Sequence, residues 1–392
     1  MGVRFGLVYD FRNPNGLGGR YSDWCRTVLE HIRAVEEMGY HAVFVAEHHF
    51  SDDGYMPAPL TAAAAIAAVT KRIRVGTWIV ILPLHHPVEV AEQAAVVDNL
   101  SGGRLELGLG LGYAITDFDG YGISRAERRG RMDEGVEIVV RALKGEKFSF
   151  AGRYFNLSNV QVSPPPVQQP MPIWLAARSP AAAQRAARHG LNLMMFGGSE
   201  IYSAYSQALQ TVGRSSDGQT HQVATLLSFL PWFVCQDPDK TWERIKGGFR
   251  YMATRYCEWF GVAADLPQDK TLLVLKDWSA DEFKNAGLAT VGTPEQVRET
   301  ITSALASVPY SLLVTWGIIP GTDPEMNLES HALFAEKVMP YFTYDQGFQF
   351  QLSCGQCSRL TIMLPLLAHF GAGGEGSAAK RPPASCCHSL SL

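Results

Sequence analysis

The sequence predicts an α/β fold, a closed (β/α)8 barrel of the TIM-barrel class, and two observations lead to it. Apolar runs of strand length recur eight times, and helical patterns lie between them. Alternating strands and helices form a parallel sheet, and eight such units close into a barrel of about 250 residues or more. The predicted strands are Arg4–Tyr9, Ala42–Glu47, Arg74–Leu82, Leu105–Leu109, Pro172–Ala177, Asn192–Phe196, Val223–Val234 and Tyr310–Trp316.

The helices between these strands carry start and stop signals. In Ser22–Met38 the apolar residues recur at a spacing close to 3.6, and Gly39 follows as a C-terminal stop. Thr293, Pro294 and Gln296 have the residue types expected at the N-cap, first and third positions of a helix with a capping box. The other predicted helices are the Ala-rich Pro57–Thr70, then Pro87–Leu100, and finally Leu328–Met339, which stops at Pro340.

Two segments interrupt the alternation of strands and helices. Lys147–Pro166 has the pattern of short strands around Ala151 and Gly152, and we expect an excursion between the fourth helix and the fifth strand. Gln236–Thr290 is longer and rich in aromatic residues. An insertion that follows a barrel strand usually lies over the mouth of the site, where loops determine specificity. An outer layer of helices is the alternative interpretation.

Composition and charge exclude several classes of protein. The chain is 46% hydrophobic and 18% charged, as in an ordinary soluble globular protein. Its net charge of -4, without a dense basic stripe, argues against nucleic-acid binding. We expect a cytoplasmic protein without membrane contact, because a signal-peptide pattern and a bilayer-spanning run of about 20 apolar residues are both missing. Cys25, Cys235 and Cys257 are isolated, as expected of reduced thiols.

The composition changes near the end of the chain, so we expect a barrel domain over residues 1–342 and a tail over 343–392. Charged residues become scarce in the tail, and four of the seven cysteines lie there. Cys354 and Cys357 have metal-ligand spacing, but the later thiols are adjacent and make a poor second half of a zinc site. A disordered or accidental extension fits this composition better.

The second predicted strand ends in Glu47, His48 and His49. In a parallel barrel, residues at the carboxyl end of a strand face the active site. A solvated loop with a surface histidine pair is the alternative. His85 and His86 form a second pair after the third strand, which raises the possibility of a metal hydrolase. Metal barrels usually combine a His-x-His pair with carboxylates from several strand ends, so the sequence argues against metal chemistry.

Two further strand ends carry signals for ligand binding. Gly108–Tyr113 has glycines at alternate positions, which would let a planar or phosphorylated ligand approach the backbone. A tight turn is the alternative, and the spacing differs from the dinucleotide fingerprint. Ser179 and Pro180 have the residue types of a helix start, where free N–H groups attract anions, and Arg178 precedes them. The sequence therefore predicts an anion site beside Arg178.

Several motifs of this chain occur together in one known family. They are Glu47–Phe50, Leu82–Pro87, Leu100–Arg104 with Gly108–Tyr113, Val291–Pro294 and Phe334–Pro340. Together they resemble the bacterial luciferase-like family of flavin-dependent monooxygenases, and the resemblance covers about residues 1–342. It implies reduced FMN, delivered by a separate flavin reductase, at the carboxyl ends of the barrel strands. By the same resemblance, the flavin would react with O₂ to give a hydroperoxide that oxidises a small, apolar organic substrate.

The resemblance also implies roles for individual residues. His48 matches the family's important histidine, a general base or a stabiliser of the oxygenated flavin. Trp78–Ile79 matches a cis peptide under the flavin ring, and Ser179 matches a position near the phosphate. The catalytic residue is then His48, no metal ligand is expected, and the cofactor-binding residues are Glu47, Trp78, Ile79, Gly110, Leu111, Tyr113, Ala176, Ala177, Arg178 and Ser179.

The chain departs from the family pattern near the expected phosphate. Leu111 stands where many relatives have an arginine that clamps the phosphate, and Arg178 stands where luciferase itself is acidic, so we hypothesise that Arg178 replaces the clamp. Gly110 stands at the reactive cysteine of luciferase, which argues against light emission. A deazaflavin-dependent oxidoreductase and a non-catalytic flavin-binding protein of the same fold remain as alternatives. Family members are commonly dimers, so we expect a homodimer.

Overall fold

A computed structural model describes residues 2–343, except 17–18, 215–220, 227–229 and 266–268. The tail beyond Thr343, with its four cysteines, therefore lies outside the described residues. In chain order the strands are β1 (Arg4–Tyr9), β2 (Ala42–Val45), β3 (Arg74–Thr77), β4 (Val80–Ile81), β5 (Leu105–Gly110), β6 (Phe148–Ala151), β7 (Asn156–Val160), β8 (Ile173–Ala177), β9 (Asn192–Met195), β10 (Val223–Leu226), β11 (Trp232–Val234), β12 (Thr290–Gly292) and β13 (Leu312–Trp316).

The strands close into a parallel barrel of eight positions, which confirms the predicted fold class. Around the barrel the order is β1, β2, β3, β5, β8, β9, β10 and β13, and β13 pairs again with β1. The pairing of β3 with β5, where Val75 lies opposite Leu105, joins the two edges of the sheet. The short β4 continues β3 and also pairs with β5. All of these pairings are parallel, so the carboxyl ends of the strands meet at one end of the barrel.

The helices lie where the alternation predicts them. α1 buries Trp24, Val28 and Ile32 on one face, which explains its 3.6-residue pattern. The capping box of α11 is confirmed, because the side chains of Thr293 and Gln296 each accept a hydrogen bond from the other's backbone N–H. The helices are α1 (Tyr21–Glu37), α2 (Pro59–Val69), α3 (Pro87–Ser101), α4 (Ile115–Gly120), α5 (Arg128–Leu143), α6 (Pro180–His189), α7 (Ser199–Thr211), α8 (Pro238–Ala263), α9 (Asp269–Leu275), α10 (Ala280–Asn285), α11 (Pro294–Ser307), α12 (Pro324–Lys337) and α13 (Pro340–Thr343).

The last predicted helix begins at the wrong residue. It starts at Pro324, not Leu328, because the Asp323 side chain caps it by accepting a hydrogen bond from the Glu325 N–H. Asp-Pro is a standard N-cap and first-turn pair, so the signal is present in the sequence. The helix ends at Lys337, two residues before the predicted Met339, and Pro340 begins the single turn of α13.

Two predicted strands are wrong as continuous elements. Val223–Val234 contains β10, which belongs to the barrel, and β11, which pairs instead with β12 outside it. Pro231 lies between these strands, and a proline cannot donate to a sheet ladder. Arg74–Leu82 is divided into β3 and β4 at Trp78–Ile79, whose peptide bond is cis. An apolar run shows burial but not a change of pairing partner, which is why both divisions were missed.

The two irregular segments differ in structure. β6 and β7 form an antiparallel hairpin in the segment 147–166, as its pattern predicts. The segment 236–290 is helical and contains α8, α9 and α10. Because α8 places Tyr256 and Phe260 in the wall of the cavity described below, this insertion lies over the mouth of the barrel. The first of the two interpretations is therefore correct.

Apolar side chains pack in two layers. One layer lies between the barrel and its outer helices and includes Leu7, Val43 and Leu107. The second fills the barrel interior and extends to α8, with Phe44, Trp174 and Phe249 among its members. In the described part of the chain, no helix combines the length and apolarity that crossing a bilayer requires.

Candidate active site

A cavity of about 390 Å³ opens at the carboxyl ends of the barrel strands. This volume lies within the usual range for ligand sites, roughly 300–1,000 Å³. Every residue that the sequence predicts for the site lines this cavity, although the strands that carry them are far apart in the chain. They are Glu47, His48, Trp78, Ile79, Gly110, Leu111, Tyr113, Ala176, Ala177, Arg178 and Ser179.

His48 engages both of its ring nitrogens in hydrogen bonds. Its Nδ1 lies 2.9 Å from Oδ2 of Asp117, and its Nε2 lies 2.8 Å from the Tyr113 hydroxyl. Asp117, from α4, is 1% exposed and also accepts a 3.2 Å hydrogen bond from the backbone N–H of His49. A carboxylate that accepts from one imidazole nitrogen fixes the tautomer and orientation of the ring. The arrangement therefore suits His48 to proton transfer through Nε2.

Glu47 gathers two other histidines around one carboxylate. Its Oε1 accepts hydrogen bonds from Nε2 of His49, at 2.8 Å, and from Nε2 of His85, at 2.6 Å. Its Oε2 accepts a 2.6 Å hydrogen bond from the backbone N–H of Ile81. Burial raises the pKa of Glu47, but the two imidazole hydrogen bonds outweigh burial and leave the pKa below its usual value.

The cluster of Glu47, His49 and His85 acts mainly as a support for the site. Its three ligand atoms lie within 4.8 Å of one another, which is the spacing of a possible metal site. However, the contacts at 2.6 and 2.8 Å have the length of hydrogen bonds. Since Glu47 also holds Ile81, the cluster joins the end of β2 to the segment that follows Trp78–Ile79.

Arginine side chains place guanidinium groups in the cavity wall, and Arg128 and Arg185 are paired with Asp265 and Asp133. Arg178 forms an ion pair of 2.6 Å with the buried Asp269, and its guanidinium lies 4.1 Å from the centroid of the Phe260 ring. Arg129 is exposed and forms no ion pair with a carboxylate of the described residues. The wall thus keeps donors for an added anion such as a phosphate. The cavity arginines are Arg128, Arg129, Arg178 and Arg185.

The start of α6 adds a second feature that favours anions. Ser179 is the N-cap and accepts a 3.4 Å hydrogen bond from the Ala182 N–H, and Pro180 is the first helical residue, which confirms the predicted helix start. Ala181 and Ala182 line the cavity, so the first turn faces it. The free N–H groups and the positive end of the helix dipole therefore reinforce the arginines.

Glycines at the end of β5 serve close packing between strands. A Cβ at Gly108 would lie 2.0 Å from the Thr77 carbonyl oxygen, so this glycine is required by the pairing of β3 with β5. A Cβ at Gly110 would lie 2.5 Å from the side chain of Ile79 and 3.4 Å from that of Ala176. Gly108 therefore serves strand packing, and Gly110 keeps the cavity wall beside Ile79 flat; the approach of a ligand to the backbone of Gly108–Tyr113 stays a prediction.

Aromatic side chains form most of the remaining wall. The hydroxyl oxygens of Tyr55 and Tyr256 lie 2.9 Å apart, at hydrogen-bond distance. The guanidinium of Arg12 lies 5.0 Å from the ring centroid of Tyr55 and 5.3 Å from that of Tyr256. Arg12 is fully buried and bonded to Asp10 at 2.7 Å, so it holds the two tyrosines from outside the cavity. This part of the wall suits an apolar molecule.

The luciferase-like monooxygenase profile matches residues 3–308 of the sequence. The chain belongs to the luciferase-like monooxygenase family. It is 30% identical to the alkanal monooxygenase alpha chain of the Kryptophanaron alfredi symbiont, over 79% of this chain and 90% of that protein. It is 33% identical to an uncharacterized protein of Sinorhizobium fredii over 56% of this chain, and spans only 63% of that relative. The oxygenase component of flavin-dependent trigonelline monooxygenase from Acinetobacter baylyi is 30% identical over 43% of this chain and 47% of that protein.

Solved structures share the fold of this luciferase-like protein. Monooxygenase RslO1 of Streptomyces bottropensis superposes with a TM-score of 0.71 and 25% identity, over 87% of this chain and 100% of its own. The oxygenating constituent of 3,6-diketocamphane monooxygenase from Pseudomonas putida, in complex with FMN, gives 0.64 and 21%, over 87% and 99%. The F420-dependent tetrahydromethanopterin reductase of Methanopyrus kandleri gives 0.63 and 17%, over 87% and 100%. By their names, the second of these proteins binds FMN and the third depends on F420.

Sequence reasoning missed several residues of this luciferase-like site. Asp117 lies 69 positions from His48, and an isolated aspartate after a strand gives no local sign of that pairing. Arg128 and Arg129 belong to a run of four arginines within residues 125–131, a signal that is visible in the sequence. The run does not stand out in the composition, because positive and negative charges nearly balance over the whole chain. Arg185 could be found only from the position of α6.

Proposed function

We propose that this protein is a flavin-dependent monooxygenase that uses reduced FMN and O₂ to oxidise a small apolar organic molecule. One observation carries the proposal: His48, held by the buried Asp117, lines the same cavity as four arginines and the start of α6. An acid–base group and an anion site in one cavity fit a phosphorylated redox cofactor that is held beside a reacting substrate.

The residues of the cavity fit FMN. Arg128, Arg129, Arg178 and Ser179 would hold the phosphate, since charged forks and helix N-terminal N–H groups both bind phosphate oxygens. Trp78 and Ile79 would lie against the planar ring of the flavin, and Gly110 lies beside Ile79. When bound, the reduced flavin supplies the electrons that activate O₂ for transfer of one oxygen atom to the substrate.

His48 moves the proton in this proposal. Its Nδ1–H points to Asp117, so Nε2 is the nitrogen that accepts or returns a proton. The imidazolium that forms lies 2.9 Å from the Asp117 carboxylate, in a site that is 4% exposed at His48. A positioned general acid or base of this kind contributes about 10²–10⁴-fold to a rate.

The wall of Tyr55, Tyr256, Phe260 and Trp316 would contact the substrate, and its apolar surface favours an uncharged organic molecule. A separate flavin reductase would supply reduced FMN, as the name of the trigonelline relative, an oxygenase component, suggests.

Binding of reduced cofactors under anaerobic conditions tests the choice of flavin. Tryptophan fluorescence should report saturable binding of reduced FMN, because Trp78 and Trp316 line the cavity. Reduced riboflavin, which lacks the phosphate, should bind at least about tenfold more weakly, or about 1.4 kcal/mol. Tighter binding of reduced F420 than of FMN would instead support the deazaflavin oxidoreductase and contradict this proposal.

Oxygen transfer is tested with a flavin reductase, FMN and a panel of apolar compounds. Product should carry one atom from ¹⁸O₂, and His48→Asn should lower its formation by about 10²-fold or more while the Kd for reduced FMN stays unchanged. Binding of FMN without oxygen transfer to any compound of the panel, and equal peroxide release by wild type and His48→Asn, would favour a non-catalytic flavin-binding protein.

A further inference from the structure

The Tyr113 hydroxyl occupies the ring nitrogen of His48 that Asp117 leaves available. Nε2 of His48 lies 2.8 Å from this hydroxyl, while Nδ1 is held by Asp117 at 2.9 Å. The rest of the imidazole is enclosed as well. Trp259 stacks on the ring with a centroid separation of 4.3 Å, and Tyr55 packs against it edge-on at 4.9 Å. A reactant therefore meets His48 with both nitrogens already bonded.

We infer that Tyr113 is a second catalytic residue, whose hydroxyl carries the proton between His48 and the reactants; this rests on the proposed function. When a reacting group gives its proton to the Tyr113 oxygen, the proton that this oxygen held passes to Nε2 of His48. Tyr113 returns to a neutral phenol, and the new imidazolium lies against the Asp117 carboxylate. The reverse sequence returns the proton, so the relay is balanced in both directions.

The surroundings of Tyr113 favour this relay. Its ring stacks on Phe260 with a centroid separation of 3.9 Å and an interplanar angle of 18°, which fixes the direction of the hydroxyl. Tyr113 also lines the cavity, so its oxygen is available to a bound reactant. Burial raises the pKa of the phenol well above 10, so Tyr113 passes a proton on and does not accumulate as a phenolate.

Tyr113→Phe tests the relay, because phenylalanine keeps the stack on Phe260 and removes only the hydroxyl. In the flavin-free protein labelled with ¹⁵N-histidine, the Nε2 resonance of His48 should move, since it loses its hydrogen-bond donor. Tyr121→Phe is the matched control: its hydroxyl lies 3.4 Å from Nδ1 of His49, so it should leave the His48 resonances in place. Unchanged His48 resonances in Tyr113→Phe would overturn the inference.

Turnover gives the second measurement. Tyr113→Phe keeps the ring that lines the cavity, so it should lower product formation at saturating reduced FMN by about 10²-fold, far more than it weakens FMN binding, and should abolish the solvent isotope effect. Adding His48→Asn to it should cost little more, because residues that act as one unit are not additive. Wild-type turnover and isotope effect in Tyr113→Phe would overturn the relay alone, whereas a wild-type protein that neither binds flavin nor oxidises would overturn the proposed function.

Discussion

The two ends of the barrel strands carry similar residues and use them differently. At the amino end, His41 precedes β2, Arg4 begins β1 and Arg74 begins β3. Nε2 of His41 lies 3.0 Å from Nη1 of Arg4, while Arg74 bonds to Glu106 and, at 2.7 Å, to Gln168. Arg4, His41 and Arg74 line a second cavity, but these groups satisfy one another, so we assign their contribution to stability.

At the carboxyl end the same strands end beside a cavity. β2 leads to Glu47 and His48, and β5 leads to Tyr113. Here His48 and Tyr113 line the aromatic-walled cavity at the end of the barrel where ligands bind in this fold. A polar residue near a strand end therefore indicates function only when it lies at the carboxyl end, since charged residues and histidines occur at both ends of the barrel.

The largest effect tests the amino end. Glu106→Gln should lower the free energy of unfolding by about 3 kcal/mol, because it leaves Arg74 without its charged partner in a mostly buried site. Glutamine still accepts from the Trp174 Nε1–H, which limits the change to the ion pair. Denaturant unfolding measures the loss, and turnover of the folded enzyme should be unchanged.

A matched control for this prediction is Glu37→Gln, which breaks the exposed ion pair with Arg72. Both side chains are more than half exposed, at 69% and 61%, so no measurable loss is expected. Equal losses of stability in both variants, or a loss of activity in folded Glu106→Gln, would contradict the assignment of the amino end to stability alone.

The next effect tests the carboxyl end. If Arg178 replaces the arginine that many relatives have at the position of Leu111, Arg178→Ala should weaken binding of reduced FMN by about tenfold, or about 1.4 kcal/mol. The effect is moderate because Asp269 already holds one side of the guanidinium. Binding of reduced riboflavin should be unaffected. Arg188→Ala, on the exposed side of the same helix, is the control; equal FMN affinity in both variants would reject the clamp.

The smallest effect concerns the amino end and is the pH dependence of its stability. Burial, together with the positive charges of Arg4 and Arg74, lowers the pKa of His41 to about 3. The unfolded chain, with a histidine pKa near 6.5, therefore binds more protons between these values, and stability falls as the pH is lowered from about 6.5. His41 should contribute about 1 kcal/mol of this loss at pH 5, after allowance for its partial exposure. His41→Gln should flatten the pH dependence of unfolding; the same slope in both proteins would contradict this origin.

The barrel could be predicted because buried parallel strands are nearly continuous apolar runs. β1 has the predicted bounds, and most other barrel strands differ from theirs by one or two residues. The prediction failed where a run stayed apolar while its partner changed, as between β10 and β11. Pairing partners are set by long-range contacts, which periodicity does not encode.

The positions of the site residues could be predicted for the same reason, because strand ends converge in a barrel. Their partners could not. Nothing near Asp117 indicates that it bonds to His48, and nothing near Asp269 indicates that it bonds to Arg178, 91 positions away. The flavin-binding roles of Arg178 and the other predicted site residues stay predictions, which the cofactor-binding experiments test.

The pairing of β11 with β12 has a consequence for engineering. These strands stand directly before and after the insertion that carries α8, and Trp232 lies opposite Thr290. Neighbouring strands are about 4.8 Å apart, so the insertion begins and ends at nearly one point. A segment exchanged between relatives at these two strands would need no new closure of a long gap. The fold thus offers a natural graft site, at which the wall from α8 could be replaced while the strand-end residues stay in place, and Trp259, Phe260 and Asp269 would be exchanged with that wall.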